Sequence, residues 1–258
     1  MTEWNAPEYA RISALQQAMA AEALSLADLQ GTERVLDLGC GNGRITAGIA
    51  ERLKQGSIVG VDASAEMIAF ASEHFPEATF PNLRFQMGDI RRLTFREEFD
   101  GVVSFNALHW IPEQSEALRT ICSAMKKGAC AQLRLVPKGR RKSLEDVIEE
   151  TRKSQRWSEY FNEFHDPYLH LTLDEYSTLA EENGLRVRDL EVKDKAWNFG
   201  SRAGFAAFGA VTFVEWTKHL PENGRPPFVA DVLDRYSKVA GDESTFRFYQ
   251  MDIRLIKN

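Results

Sequence analysis

The chain has 258 residues, 43% of them hydrophobic and 27% charged, with a net charge of -6 from 32 basic and 38 acidic side chains. This length suits one large α/β domain with an inserted cap, or two small domains, and the acidic balance speaks against a nucleic-acid partner. No apolar run approaches the roughly 20 residues of a membrane span, and "MTEWNAPEYARIS" lacks the apolar core of a signal peptide. Cys40, Cys122 and Cys130 form neither a CxxC pair nor a metal-ligand spacing. A cytoplasmic protein without a resident metal is therefore expected.

The first predicted element is an amphipathic helix over 8–29, with Ile12, Leu15, Met19, Ala23 and Leu26 at helical spacing. "RVLDLG" reads as a buried strand and "GRITAGIAERLK" as a helix. "SIVGVD" is a second strand, and "SAEMIAFASEHF" a helix capped by Ser64. "LRFQMGD", "FDGVVSF" and "ACAQLRLVP" follow as strands, with the helix "EQSEALRTICSAMK" before the last of them. Alternating strands and helices imply a doubly wound, mostly parallel sheet that binds its ligand outside the carboxyl ends of the strands.

Beyond Pro137 the pattern changes. The basic "PKGRRKS" reads as a solvated loop or as a docking patch for an anionic substrate or RNA. Helices are predicted over 143–164, over 172–183 with Thr172 and Glu175 as a capping box, over 201–220 and over 227–239. "LRVRDLEVKD" and "STFRFYQMDIRLIK" alternate as strands. The expected division is 1–137 as first helix and ligand-binding core. Residues 138–258 then hold the remaining core strands (185–194 and 245–257) and a helical cap (143–183 and 200–240).

"VLDLGCGNGRIT" carries the most chemistry. A strand containing Asp37 ends in Gly39, Gly41 and Gly43, a tight turn into a helix that lets a ligand approach the backbone and meet a partly positive helix end. The spacing is G-x-G-x-G, not the dinucleotide G-x-G-x-x-G. Asp62 ends the second strand 19 residues after Gly43, where a carboxylate accepts ribose hydroxyls. Asp89 ends the third and is placed to accept from an adenine amino group.

With three acids in order at successive strand ends around this glycine turn, the chain resembles the class I S-adenosylmethionine-dependent methyltransferases. The resemblance implies a Rossmann-like, seven-stranded sheet with helical cap insertions and S-adenosyl-L-methionine as cofactor. It also implies a cofactor site of Gln16, Asp37, Gly39, Cys40, Gly41, Gly43, Asp62, Ala63, Met67, Asp89, Ile90, Asn106 and Leu108. Two stretches, "NAPEYARISALQQ" and "FNALHWIPEQSEALRTI", are similar to the subgroup of trans-aconitate and juvenile hormone acid methyltransferases, which esterify small carboxylic acids. By that likeness Gln16 and Trp110 hold the substrate carboxylate, with Tyr9 nearby on the first helix. The chain departs from the pattern at "KKGAC", in the cap, and at Arg134, which sits in an apolar strand and must face substrate or pair with a core carboxylate.

A carboxylate is ionised at neutral pH and needs no base for in-line displacement at a sulfonium methyl. A hydroxyl, amine or carbon nucleophile needs one, and His109 is the candidate, unless its ring only bonds backbone at the strand end. Trp110 either orients the substrate or covers the sheet edge. Trp157 and Trp216 are the cap aromatics expected at the substrate, although aromatics at such spacing are more often core. The expectation is a small-molecule carboxyl O-methyltransferase, monomer or homodimer, binding neither nucleic acid nor membrane. The alternatives are O-, N- or C-methylation with His109 as base, and a non-catalytic S-adenosylmethionine-binding module.

Overall fold

The computed structural model describes residues 14–26 and 29–258. Strands β1 (Arg34–Leu38), β2 (Ser57–Asp62), β3 (Leu83–Met87), β4 (Phe99–Phe105), β5 (Met125–Leu135), β6 (Leu185–Asn198) and β7 (Thr245–Lys257) form one sheet in the order β3-β2-β1-β4-β5-β7-β6. Strands β1 to β5 pair parallel, and β7 runs antiparallel to both its neighbours. The strand order reverses between β1 and β4, which opens a crevice at their carboxyl ends.

The helices are α1 (Ala14–Leu26), α2 (Arg44–Ala50), α3 (Ala65–His74), α4 (Gln114–Ala124), α5 (Leu144–Arg152), α6 (Leu173–Glu182), α7 (Arg202–Thr212), α8 (Val214–Thr217) and α9 (Arg225–Ala240). Alternation along the strands splits the core between the two sheet faces. Leu36 and Val102 pack with Leu118 of α4 and Tyr176 of α6. Val35 and Val103 pack with Ala23 of α1 and Ile49 of α2. A third cluster builds the cap: Val147 of α5, Phe205 of α7, Trp216 of α8 and Phe228 of α9 close on Phe248 of β7 and on Leu15 of α1. Among the described residues no helix is long and apolar enough to cross a membrane.

The capping box at Thr172 forms. Its hydroxyl accepts from Glu175 N at 3.3 Å, and the Glu175 carboxylate accepts from Thr172 N at 2.8 Å. Several predicted spans differ, among them the helix from Gly43, which ends at Ala50, and the strand from Leu185, which runs to Asn198. The helix from Ser143 stops at Arg152, because Ser154 turns its hydroxyl onto the Thr151 carbonyl, and a short 3-10 turn, Ser158–Phe161, follows. The helix from Ser201 breaks at Phe213, whose ring lies in the cap cluster against Gly209. Strand β5 starts at Met125 rather than at Ala129, so "KKG" belongs to the strand, with Gly128 at φ +76 beside a register shift against β4. The predicted helix over 8–29 is described only from Ala14 to Leu26, and Tyr9 lies outside the described residues.

Candidate active site

The glycine turn after β1 is held from both sides. Gly39 N and Cys40 N donate to the Val61 carbonyl of β2 at 2.8 and 3.0 Å, and Ser104 of β4 donates to the Leu38 carbonyl at 2.7 Å. Gly39 has φ +74, and a Cβ there would overlap the side chain of Ala107 in the loop after β4. Gly41 has φ +52, and a Cβ there would meet nothing within 4 Å, because its α-carbon faces a cavity of about 820 Å³ at the strand ends. The first glycine lets β1 close on the β4 loop; the second presents bare backbone to a ligand.

The acid after β2 lines the same cavity. One oxygen of Asp62 accepts from Gly41 N at 2.9 Å and the other from Ser64 N at 2.9 Å, so the carboxylate is fixed against the turn. Ala63 and Met67 continue the wall, with Ser64 capping α3. At the end of β3, Asp89 and Ile90 also line the cavity. Arg91 bonds both Asp89 oxygens, at 2.6–3.1 Å, and reaches Glu113 at 2.7 Å. That guanidinium holds the Asp89 carboxyl below its ordinary value.

Past β4, Asn106 adopts φ +60, an uncommon conformation for a residue with a side chain. Its N–H donates to the Arg134 carbonyl of β5 at 2.8 Å. His109 and Trp110 follow in a 3-10 turn, Leu108–Trp110, and both line the cavity. The Trp110 ring meets Tyr168 edge-on at 4.5 Å and lies 6.2 Å from Trp216. His109 Nδ1 accepts from Val136 N at 3.3 Å, and burial pushes the imidazole down to about 3. His170, also on the wall, is pushed down to about 4 by burial.

Several predicted contacts are corrected by this geometry. Arg134 faces the core rather than substrate: it is wholly buried, bonds Asp252 of β7 at 2.7 and 3.1 Å, and reaches Glu22 of α1 at 3.3 Å. Trp157 packs edge-on against Phe228 and donates to Asp231 at 2.8 Å, away from the cavity. Trp216 does reach the wall, but its indole N–H is committed to Glu149 at 2.8 Å, so it offers only ring surface. Asp37 lies behind the turn, 2% exposed, where it accepts from Thr46 at 2.7 Å. Gly43 packs on Phe85 and Ala71, and Leu108 sits in the core; neither is part of the wall. His109 Nδ1 already accepts the Val136 N–H, so the lone pair a base would use is engaged. Gln16 lies on α1, whose Leu15 and Met19 line the cavity; its side chain falls outside the described residues.

Residues 29–184, more than half of the chain, match a family model described as "Methyltransferase domain". The chain belongs to this family. It is a class I S-adenosylmethionine-dependent methyltransferase. It is similar to "Putative methyltransferase 235L" of Invertebrate iridescent virus 6, at 26% identity over 92% of this chain and 87% of the relative. Similarity to the trans-aconitate 2-methyltransferase of Deinococcus radiodurans reaches 34% identity, over 48% of this chain and 46% of that enzyme. The chain thus matches about half the length of that relative. In fold it is similar to the YcgJ protein of Bacillus subtilis, with TM-score 0.66 at 18% identity, covering 94% of this chain and 99% of that one.

The methyltransferase's cavity fits the cofactor on its own chemistry. Gly41 leaves its α-carbon bare, and the carboxylate of Asp62 is fixed beside it. Both oxygens of Asp62 bond backbone N–H groups, and a carboxylate oxygen accepts more than one hydrogen bond. Tyr168, His170 and Glu145 also lie on the methyltransferase's cavity wall, and no motif marks them in the sequence. The basic "PKGRRKS" segment also lines the wall, where Arg141 bonds Asp194 at 2.7 and 2.8 Å and stacks on Tyr249.

The buried Asp37 makes a testable mark on stability. Burial raises its carboxyl from 3.8 to about 7. The folded form therefore keeps its proton where the unfolded chain loses it. This contribution is full below about pH 4 and is lost as pH rises through about 7. In cofactor-free protein, Asp37→Asn keeps an acceptor for Thr46 and removes that slope. The stability difference between variant and wild type is expected to grow by about 2–3 kcal/mol from pH 5 to pH 8 in urea titrations. Parallel pH profiles would contradict a neutral buried carboxyl.

Proposed function

We propose that this methyltransferase acts on a small molecule and methylates a carboxylate, giving a methyl ester. The observation that carries this reading is the state of His109. In the imidazole next to Trp110 one nitrogen accepts a backbone N–H and the other carries the ring proton, so no lone pair is free to take a proton at the strand end. A carboxylate needs no base, being ionised well below neutral pH.

Bound against the glycine turn, S-adenosylmethionine supplies a methyl group on a sulfonium, an electrophile with a good leaving group. Trp110 borders the acid and orients it, and Gln16 is assigned the same task from α1. The cap rings, with Trp216 and Tyr168 on the wall, exclude water from the reacting atoms. Asp62, Ala63, Met67, Asp89 and Ile90 are assigned to the nucleoside part of the cofactor; Gly39, Cys40, Gly41 and Asn106 are assigned to its methionine part. Partial similarity to trans-aconitate methyltransferases supports an acid as substrate. We further assign residues 138–258 the cap and the last core strands.

A second reading rests on Glu145. This carboxyl lies on the cavity wall in the first turn of α5, and burial, with Asp146 and Asp166 near, pushes it up to about 7. Such a group can serve as base toward a hydroxyl or amine. A methyl-transfer screen over fatty, terpenoid, di- and tricarboxylic acids, with phenols and amines alongside, separates the two. Carboxyl methylation predicts alkali-labile products and turnover that survives Glu145→Gln. Alkali-stable products alone, lost in Glu145→Gln, would replace it with the second reading.

A further inference from the structure

We propose that His109 is a fixed hydrogen-bond donor to the substrate, holding an acceptor atom of the methyl-accepting group through Nε2–H. This rests on the cavity being the substrate site, as proposed above, and leaves open whether the acceptor atom belongs to a carboxylate.

The assignment follows from which groups can donate. Val136 N–H can only donate, so Nδ1, at 3.3 Å, must be the acceptor nitrogen. An uncharged imidazole with an acceptor at Nδ1 carries its proton on Nε2. Burial, with the His170 imidazole near, disfavours a second proton. The ring packs against Tyr168, 5.0 Å away between centroids, and Trp110, 6.1 Å away, and its backbone is held by Leu169 N, which donates to the His109 carbonyl at 3.1 Å.

Nε2 meets no protein acceptor among the described residues, yet it is not among the polar atoms sealed without partners. His109 is only 3% exposed and lines the cavity, which leaves the cavity as the place where Nε2 can meet a partner. A buried donor without a partner is costly unless a ligand meets it. The same N–H then discriminates, because a substrate presenting a hydrogen-bond donor or a methyl at that position leaves it unpaired. Beside Trp110, the ring makes this end of the cavity a place for an anionic or carbonyl oxygen.

The test uses wild-type protein labelled with 15N in its five histidines, bound to S-adenosylhomocysteine at pH 7, with His109→Gln to assign the resonance. The expected result is an uncharged His109 ring protonated at Nε2, whose N–H resonance moves on adding octanoate, phenylacetate or octanamide. A ring protonated at Nδ1, a charged ring, or no shift with any of the three probes would overturn the proposal. A shift with octanamide but with neither acid would keep the donor and remove the carboxylate reading.

Kinetics give a second arm, using whichever acceptor the screen yields. Gln places an amide N–H near the Nε2 position, whereas Asn reaches only the Nδ1 position. His109→Asn is expected to raise KM for the acceptor about tenfold or more, with cofactor affinity unchanged, while His109→Gln stays within roughly fivefold of wild type. Equal losses in the two variants, or none in His109→Asn, would count against a donor.

Discussion

Asp62→Ala is expected to weaken S-adenosylmethionine binding by at least about a hundredfold in calorimetry. Two ribose hydroxyls donating to one carboxylate make two charge-assisted hydrogen bonds, each worth roughly 1.5–3 kcal/mol, and about 1.4 kcal/mol is tenfold in affinity. The substitution also frees Gly41 N and Ser64 N, which the Asp62 oxygens hold at 2.9 Å, so the bare stretch of backbone loses its anchor. Asp89→Ala should cost less, because Arg91 already occupies both oxygens of that carboxylate. Unchanged affinity in Asp62→Ala would remove the cofactor from this crevice.

Arg134→Ala is expected to destabilise the fold by about 3–5 kcal/mol. Removing a buried guanidinium leaves the Asp252 side chain, 9% exposed, without its main partner. It also cuts the tie to Glu22, which joins α1 to β5 and, through Lys195, to β6. For a chain of this size, such a loss lowers the melting temperature by roughly 10 °C. Arg134→Met with Asp252→Leu should restore much of it, since apolar residues of similar volume replace buried ion pairs at little cost. A melting temperature within about 2 °C of wild type for Arg134→Ala would show that the pair contributes little.

The crevice proposed for the cofactor was legible because its determinants are local. A strand, a glycine turn and an acid at the next strand end are encoded within 29 residues, from Arg34 to Asp62, and the sheet topology brings them to one rim. The substrate side was harder to read because its determinants are distant in sequence. Arg134 finds Asp252 118 residues away, so nothing near either residue reveals the pair. Trp157 and Trp216 sit in similarly aromatic segments, yet one faces Phe228 and the other the cavity, a choice made only when α5, α8 and α9 pack.

Tyr168 and His170 come from an irregular segment between Phe161 and Leu173 whose composition carries no periodic signal. They reach the site because that segment passes behind the β4 loop, where Leu169 N bonds the His109 carbonyl. His109 itself stood out in the sequence as a residue of chemical interest. Its partner is a backbone N–H of Val136, 27 positions on, which sets the tautomer and engages the nitrogen that a base would use.

The most direct measurement is a crystal structure of the protein with S-adenosylhomocysteine. The expected result has the ribose hydroxyls on Asp62, the homocysteine chain along Gly39–Gly41, and the sulfur directed toward Trp110 and His109. A nucleoside lodged in the cap, or a sulfur turned away from the end of β4, would contradict it.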